Sequence, residues 1–152
     1  MPTRGPDTPP ARLDLPPRLS AVAMLNDWFA GQTAGSGLSE RVLGDMKLCL
    51  NEAVANVVSY AFDGIADPRL RVTLRPDADG ITAEIRDNGQ PFDPLAGPMA
   101  EAMHGLETAQ IGGFGIKLMR ETAQDLSYAR EGEENVLTLT CRAAPGSAAP
   151  AP

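Results

Sequence analysis

The stretch 69-RLRVTLRPDADGITAEIRD-87 decides the fold. Leu70, Val72 and Leu74 alternate with Arg71, Thr73 and Arg75, and Ile81, Ala83 and Ile85 then alternate with Thr82, Glu84 and Arg86. A period of two gives each run one apolar and one wet face, as in a half-buried strand. Between them, 77-DADG-80 reads as a hairpin turn. The apolar face needs a cover, and the rest of the chain supplies candidates.

Upstream, 12-RLDL-15 reads as a short first strand, ended by Pro16 and Pro17. Leu19, Val22, Ala23, Leu25, Trp28 and Phe29 then recur at helical spacing over 19–34, with Trp28 and Phe29 as core anchors. Ser39 stands as an N-cap with Glu40 in the first turn, so a second helix should run from there to about Phe62. Downstream, residues 88–111 have little pattern and read as a lid or a disordered segment. A helix is expected over Gly115–Ala123, then strands over 125–131 and 134–142. Helices and strands segregated in this way predict an α+β two-layer sandwich: a mixed, mostly antiparallel sheet with helices on one face. The folded unit is expected over 13–142, between disordered tails at 1–12 and 143–152.

The bulk numbers exclude several classes. The chain has 152 residues, with 13 basic against 20 acidic side chains and a net charge of -7. There is no basic footprint for direct nucleic-acid binding. No apolar run suits a membrane span or a leader, so a cytoplasmic location is expected. Cys49 and Cys141 lie in apolar segments and read as buried thiols. The single histidine, His104, excludes a multi-histidine metal site and a Ser-His-Asp triad.

Three segments carry chemistry. In 49-CLNEAVANVVSYAF-62, Glu52 and Asn56 stand four apart, on one face beside an apolar stripe. A carboxylate there can take a proton from a hydroxyl, and an amide oxygen can hold Mg2+; a solvated helix edge would look the same. In 87-DNGQPFDP-94, Asp87 can accept from an exocyclic amine, and Gly89 lets a flat base approach the backbone; a plain turn fits equally. In 111-IGGFGIKLMRE-121, Gly112, Gly113 and Gly115 precede the expected helix and read as a phosphate nest or a flexible hinge, with Lys117 and Arg120 adding positive charge. Thr138 and Thr140 share one strand face, where they either pack or touch a ligand.

Together these segments resemble the ATP-binding domain shared by DNA gyrase, the Hsp-type chaperones, the mismatch-repair ATPase and bacterial sensor histidine kinases. The chain is most similar to the small stand-alone members, the anti-sigma factor serine/threonine kinases, in NEAVAN, in D-x-G-x-PFDP and in IGG-x-GI-x-L-x-R, over about residues 13–142. The resemblance implies ATP and Mg2+, with Asn56 as the metal ligand and Glu52 as the catalytic base. It also implies Asp87 and Gly89 at adenine, the 112-GGFG-115 run (Phe114 included) and Lys117 around the phosphates, and Thr138 near the base. Phe114 stands where the kinases often carry Leu or Arg, and 121-ETAQDLSY-128 lacks their usual Met-Asp pair. The implied partners are an anti-sigma antagonist protein phosphorylated on serine, a sigma factor held by the kinase, and a second copy of the chain. A non-catalytic nucleotide-binding module, or a regulatory domain acting on a larger partner such as a phosphatase, would share the same boxes.

Overall fold

The structure, a computed structural model, describes residues 9–93, 95 and 111–143, with backbone alone for 111–116. His104, most of the expected lid, residues 1–8 and residues 144–152 lie outside the described residues.

Five strands form one sheet: β1 (Ala11–Leu15), β2 (Leu70–Pro76), β3 (Gly80–Asp87), β4 (Asp125–Glu131) and β5 (Glu134–Arg142), in the order β1-β2-β3-β5-β4. All four pairings are antiparallel. Three helices, α1 (Ser20–Thr33), α2 (Glu40–Asn56) and α3 (Ile111–Thr122), cover one face, which is the expected α+β sandwich. The first strand takes in Ala11 and Arg12, which pair with Leu74 and Thr73, so the folded unit starts two residues before the expected boundary.

The alternation of the two hairpin strands becomes the two faces of the sheet. One row runs Leu13, Val72, Ile85, Leu137, Tyr128 across all five strands. It faces the helices, where Met46, Cys49, Leu50 and Val54 of α2 are fully buried against the sheet. Each such Leu or Ile contributes about 2 kcal/mol through burial. The opposite face is ionic: Arg71 pairs with Asp14 at 2.8 Å and Arg86 with Glu84 at 2.6 Å. Pairs this open to water stabilise by about 1 kcal/mol or less.

α2 begins as its sequence dictates. The Ser39 hydroxyl accepts the Val42 N–H at 3.1 Å, which satisfies one of the first-turn donors. The helix reaches the expected end, but its winding changes. It is α-helical to Asn56, and Val57–Ala61 form a π-helical turn. α3 differs from expectation too. It starts at Ile111, so Gly112, Gly113, Phe114 and Gly115 occupy its first turn instead of a loop before it. Glycine in a helix costs about 1 kcal/mol relative to alanine. Packing of α3 along α2, with Met119 fully buried, offsets that cost. No helix among the described residues is long and apolar enough to cross a membrane. Cys49 and Cys141 are free and buried, as expected.

Candidate functional site

At the end of the sheet where β3 stops, Asn56, Asp87, Tyr128 and Asn135 line one narrow cavity of about 20 Å³ with Phe92, Met119 and Leu137. A far wider groove, about 870 Å³, lies on the ionic face between Arg12, Arg71, Arg75, Glu84 and Arg86. None of the residues read from the sequence as a site lines that groove. Of the residues read from the sequence as a site, Asn56 and Asp87 line the narrow cavity, which is smaller than a purine.

Asn56 projects from the last turn of α2 and is only 3% exposed, and its Nδ2 finds no partner among the described residues. Glu52 sits one turn earlier, half-buried, and its Oε2 is also without a partner. Burial pushes the Glu52 carboxyl above the usual range. Buried polar atoms normally have partners, so two orphans on one helix face mark a place built for something else. Read alone, the helix allows a solvated edge; the burial of Asn56 excludes that at this position.

Asp87 ends β3 and is also 3% exposed. Its Oδ1 accepts from the Gly89 N–H and from Asn135 Nδ2, both at 2.9 Å. Burial raises its pKa, and the bonds from Asn135 and Gly89 and the charge of Arg130 oppose that rise. Gly89 belongs here for steric reasons. A Cβ on it would lie 2.5 Å from the Ala61 carbonyl oxygen, inside contact distance. The neighbouring Gln90 N–H donates to that same carbonyl at 2.8 Å, so the turn after β3 is stitched to the π turn after Asn56. Tyr60 and Phe92 stack across the seam, with ring centroids 6.1 Å apart.

Other expected residues stand elsewhere. Thr138 does not join the cavity. It pairs with Glu84 and Ser127 in the row that faces away from the helices, because its neighbours Leu137 and Leu139 take the core side. Lys117 is mostly exposed and lies 4.0 Å from Glu121. Gly112, Gly113, Phe114 and Gly115 lie at the beginning of α3 as described from Ile111.

The residue missed in Thr138's place is Asn135. It shares a row with Asp87 and Arg130 across three adjacent strands. Its Nδ2 also donates to the Gln90 carbonyl at 2.8 Å, and its Oδ1 accepts from Tyr128, from the Phe92 N–H and from Arg130. The sequence does carry a signal: in 134-ENVLTLTCR-142, Asn135 has the same parity as Leu137, Leu139 and Cys141. An amide on the apolar parity of a strand must be buried, and therefore bonded.

The unpartnered Asn56 Nδ2 is a donor and suits a phosphate oxygen, while the oxygen of the same amide is the atom a magnesium ion would use. Among the described residues no three His, Cys, Asp or Glu side chains gather into a metal site. A metal beside Asn56 would therefore draw on phosphate and water oxygens, the habit of Mg2+.

Comparison with known proteins fits this geometry. The family model of the histidine kinase-like ATPase domain matches residues 15–141. The serine/threonine-protein kinase BtrW of Bordetella bronchiseptica is 38% identical over 109 residues, covering 72% of this chain and 77% of BtrW. The serine-protein kinase RsbW of Listeria innocua is 30% identical over 132 residues, covering 83% of each. The solved RsbU and RsbW domains of a Mycobacterium tuberculosis protein share the fold with a TM-score of 0.58 at 20% identity, over 89% of this chain and 32% of that one. The chain belongs to the histidine kinase-like ATPase family, and within it to the RsbW- and BtrW-like anti-sigma factor kinases.

Proposed function

We propose that the protein is an ATP-dependent protein serine kinase and anti-sigma factor of the cytoplasm. It phosphorylates a serine of an anti-sigma antagonist and sequesters a sigma factor. One observation carries the reading: an orphaned carboxylate, Glu52, stands one helical turn from an orphaned amide, Asn56, which shares a cavity with Asp87.

In this reading Asp87 accepts from the adenine amine, and Gly89 gives the base a flat approach. The first turn of α3 offers N–H groups to the phosphates. Asn56 would hold Mg2+ through its amide oxygen, and the ion would supply positive charge at the phosphate oxygens. Glu52 orients the serine hydroxyl and takes its proton as the serine Oγ–P bond forms and the bond from the γ-phosphorus to the ADP oxygen breaks. Such a transfer depends mainly on positioning and charge neutralisation. Burial raises the Glu52 pKa, which makes it a stronger proton acceptor than an ordinary carboxylate.

The test is transfer of labelled γ-phosphate to a purified candidate antagonist, with ADP binding measured in parallel. Glu52→Gln should lose at least about 100-fold in transfer while binding ADP as the parent does. Parental transfer by this variant would overturn the catalytic assignment.

A further inference from the structure

We propose that Arg130 is a positioning residue for nucleotide selection: it clamps the Asp87–Gly89 turn through Asn135, so that one Asp87 oxygen is held by the protein and the other is presented to an exocyclic amine. The inference rests on the nucleotide reading of the cavity.

Arg130 lies on β4, an edge strand, and by exposure alone would pass for a surface charge. Its bonds are not those of a surface charge. Among the described residues it has no carboxylate within 4.0 Å, while seven other pairs of basic and acidic groups meet that distance. Its Nη1 goes instead to two neutral acceptors, the Gly89 carbonyl at 2.8 Å and Asn135 Oδ1 at 3.2 Å. The first belongs to the residue whose N–H holds Asp87, and the second to the amide that holds Asp87 from the other side. Arg130 therefore braces both of the protein's bonds to the carboxylate.

The amide between them has no freedom left. Both Asn135 N–H groups are spent, on Asp87 Oδ1 and the Gln90 carbonyl. Its oxygen already serves three donors: Phe92 N–H, Tyr128 OH and Arg130. Rotating the amide by half a turn would set N–H groups against three donors, so its orientation is fixed. Asn135 then has no N–H to offer a base, and both hydrogen bonds to the Asp87 carboxylate converge on Oδ1. Oδ2 is the acceptor that remains. An adenine amine can donate to it; a guanine carbonyl at the same position is repelled by it.

The clamp predicts a loss of discrimination instead of a general loss of binding. Affinities of fluorescent mant-ADP and mant-GDP would be measured on the full chain, the parent beside Arg130→Ala and Arg130→Lys. Arg130→Ala should weaken ADP about tenfold and leave GDP within twofold, because a misaimed acceptor costs only the base that uses it. Arg130→Lys keeps the charge on a shorter side chain whose ammonium ends short of the place where Nη1 meets both acceptors, and its ADP-to-GDP ratio should lie between those of the alanine variant and the parent. An adenine-selective parent whose ratio survives Arg130→Ala within twofold overturns the clamp alone. A parent that binds neither nucleotide overturns the clamp and the nucleotide reading together. The ratio is read on each folded variant, so a change in stability alone does not imitate the result.

Discussion

The two ends of the cavity are built in opposite ways. At the β3 end, Asp87, Gly89, Gln90, Phe92, Tyr128, Arg130 and Asn135 form one closed set of hydrogen bonds. At the α2 end, Asn56 Nδ2 is buried, Glu52 Oε2 lies one helical turn away outside the cavity's lining, and neither has a partner among the described residues. The first end is finished before any ligand arrives, and the second is not. A base must be told apart from a similar base, which demands acceptors fixed in advance. Phosphates and a metal bring their own charge, so the groups meant for them can be left open. The open end costs stability, since an unsatisfied buried polar group destabilises by about 1–3 kcal/mol.

The contrast can be broken by mutation. The largest effect is expected at the open end. Asn56→Ala should weaken ADP binding in the presence of Mg2+ about 100-fold and remove most of its dependence on the metal, by analogy with loss of a strong ligand at a charged centre. An unchanged magnesium dependence in calorimetric titration would place the metal elsewhere. Next comes the seam between the ends. Gly89→Ala places a Cβ 2.5 Å from the Ala61 carbonyl, which is backbone and yields poorly. It should destabilise by about 2 kcal/mol in urea unfolding. A midpoint unchanged from the parent would mean that the seam is loose.

At the closed end, Asp87→Asn should cut the ADP-over-GDP preference about tenfold, because an amide can donate to guanine as well as accept from adenine. A preference retained in full would remove Asp87 from base reading. The smallest effect has the opposite sign. Burial raises the Glu52 carboxyl above its ordinary value of 4.5 in the folded chain. The folded state therefore binds a proton that the unfolded state releases, and stability falls as pH rises through the window between 4.5 and the raised value. Glu52→Gln should then be more stable than the parent near neutrality by about 1 kcal/mol, a few degrees in thermal midpoint. The gap should close as pH falls below that window. A variant less stable than the parent at every pH would show that the carboxylate is satisfied in solution.

Periodicity makes the sheet and α2 legible. The hairpin 69–87 and strands 125–131 and 134–142 stand close to where alternation puts them. Two winding details escape it. The first turn of α3 is glycine-rich, and local propensity reads glycine as a break; packing against α2 outweighs that preference. The π turn leaves no mark in a pattern that counts apolar positions. In the site, Glu52, Asn56 and Asp87 are legible as polar residues within apolar surroundings. Thr138 is placed near the base by resemblance alone, whereas its parity against Leu137 and Leu139 sends it to the other face of the sheet. The same parity points to Asn135.

The π turn at Val57–Ala61 sets a rule for insertions and deletions. Removing one residue there would let the segment rewind as α-helix with little net rotation of the chain beyond it, because a π turn spreads one extra residue over nearly the same arc. Adding a residue has no such outlet: at about 100° per residue it would turn the chain beyond, and the Ala61 carbonyl would leave Gln90 and Tyr60 would leave Phe92. Substitution at the exposed Ser59 should pass unnoticed. Five residues with little chemistry of their own thus act as a spacer that can be shortened by one more readily than lengthened, and that keeps α2 and the turn after β3 in register.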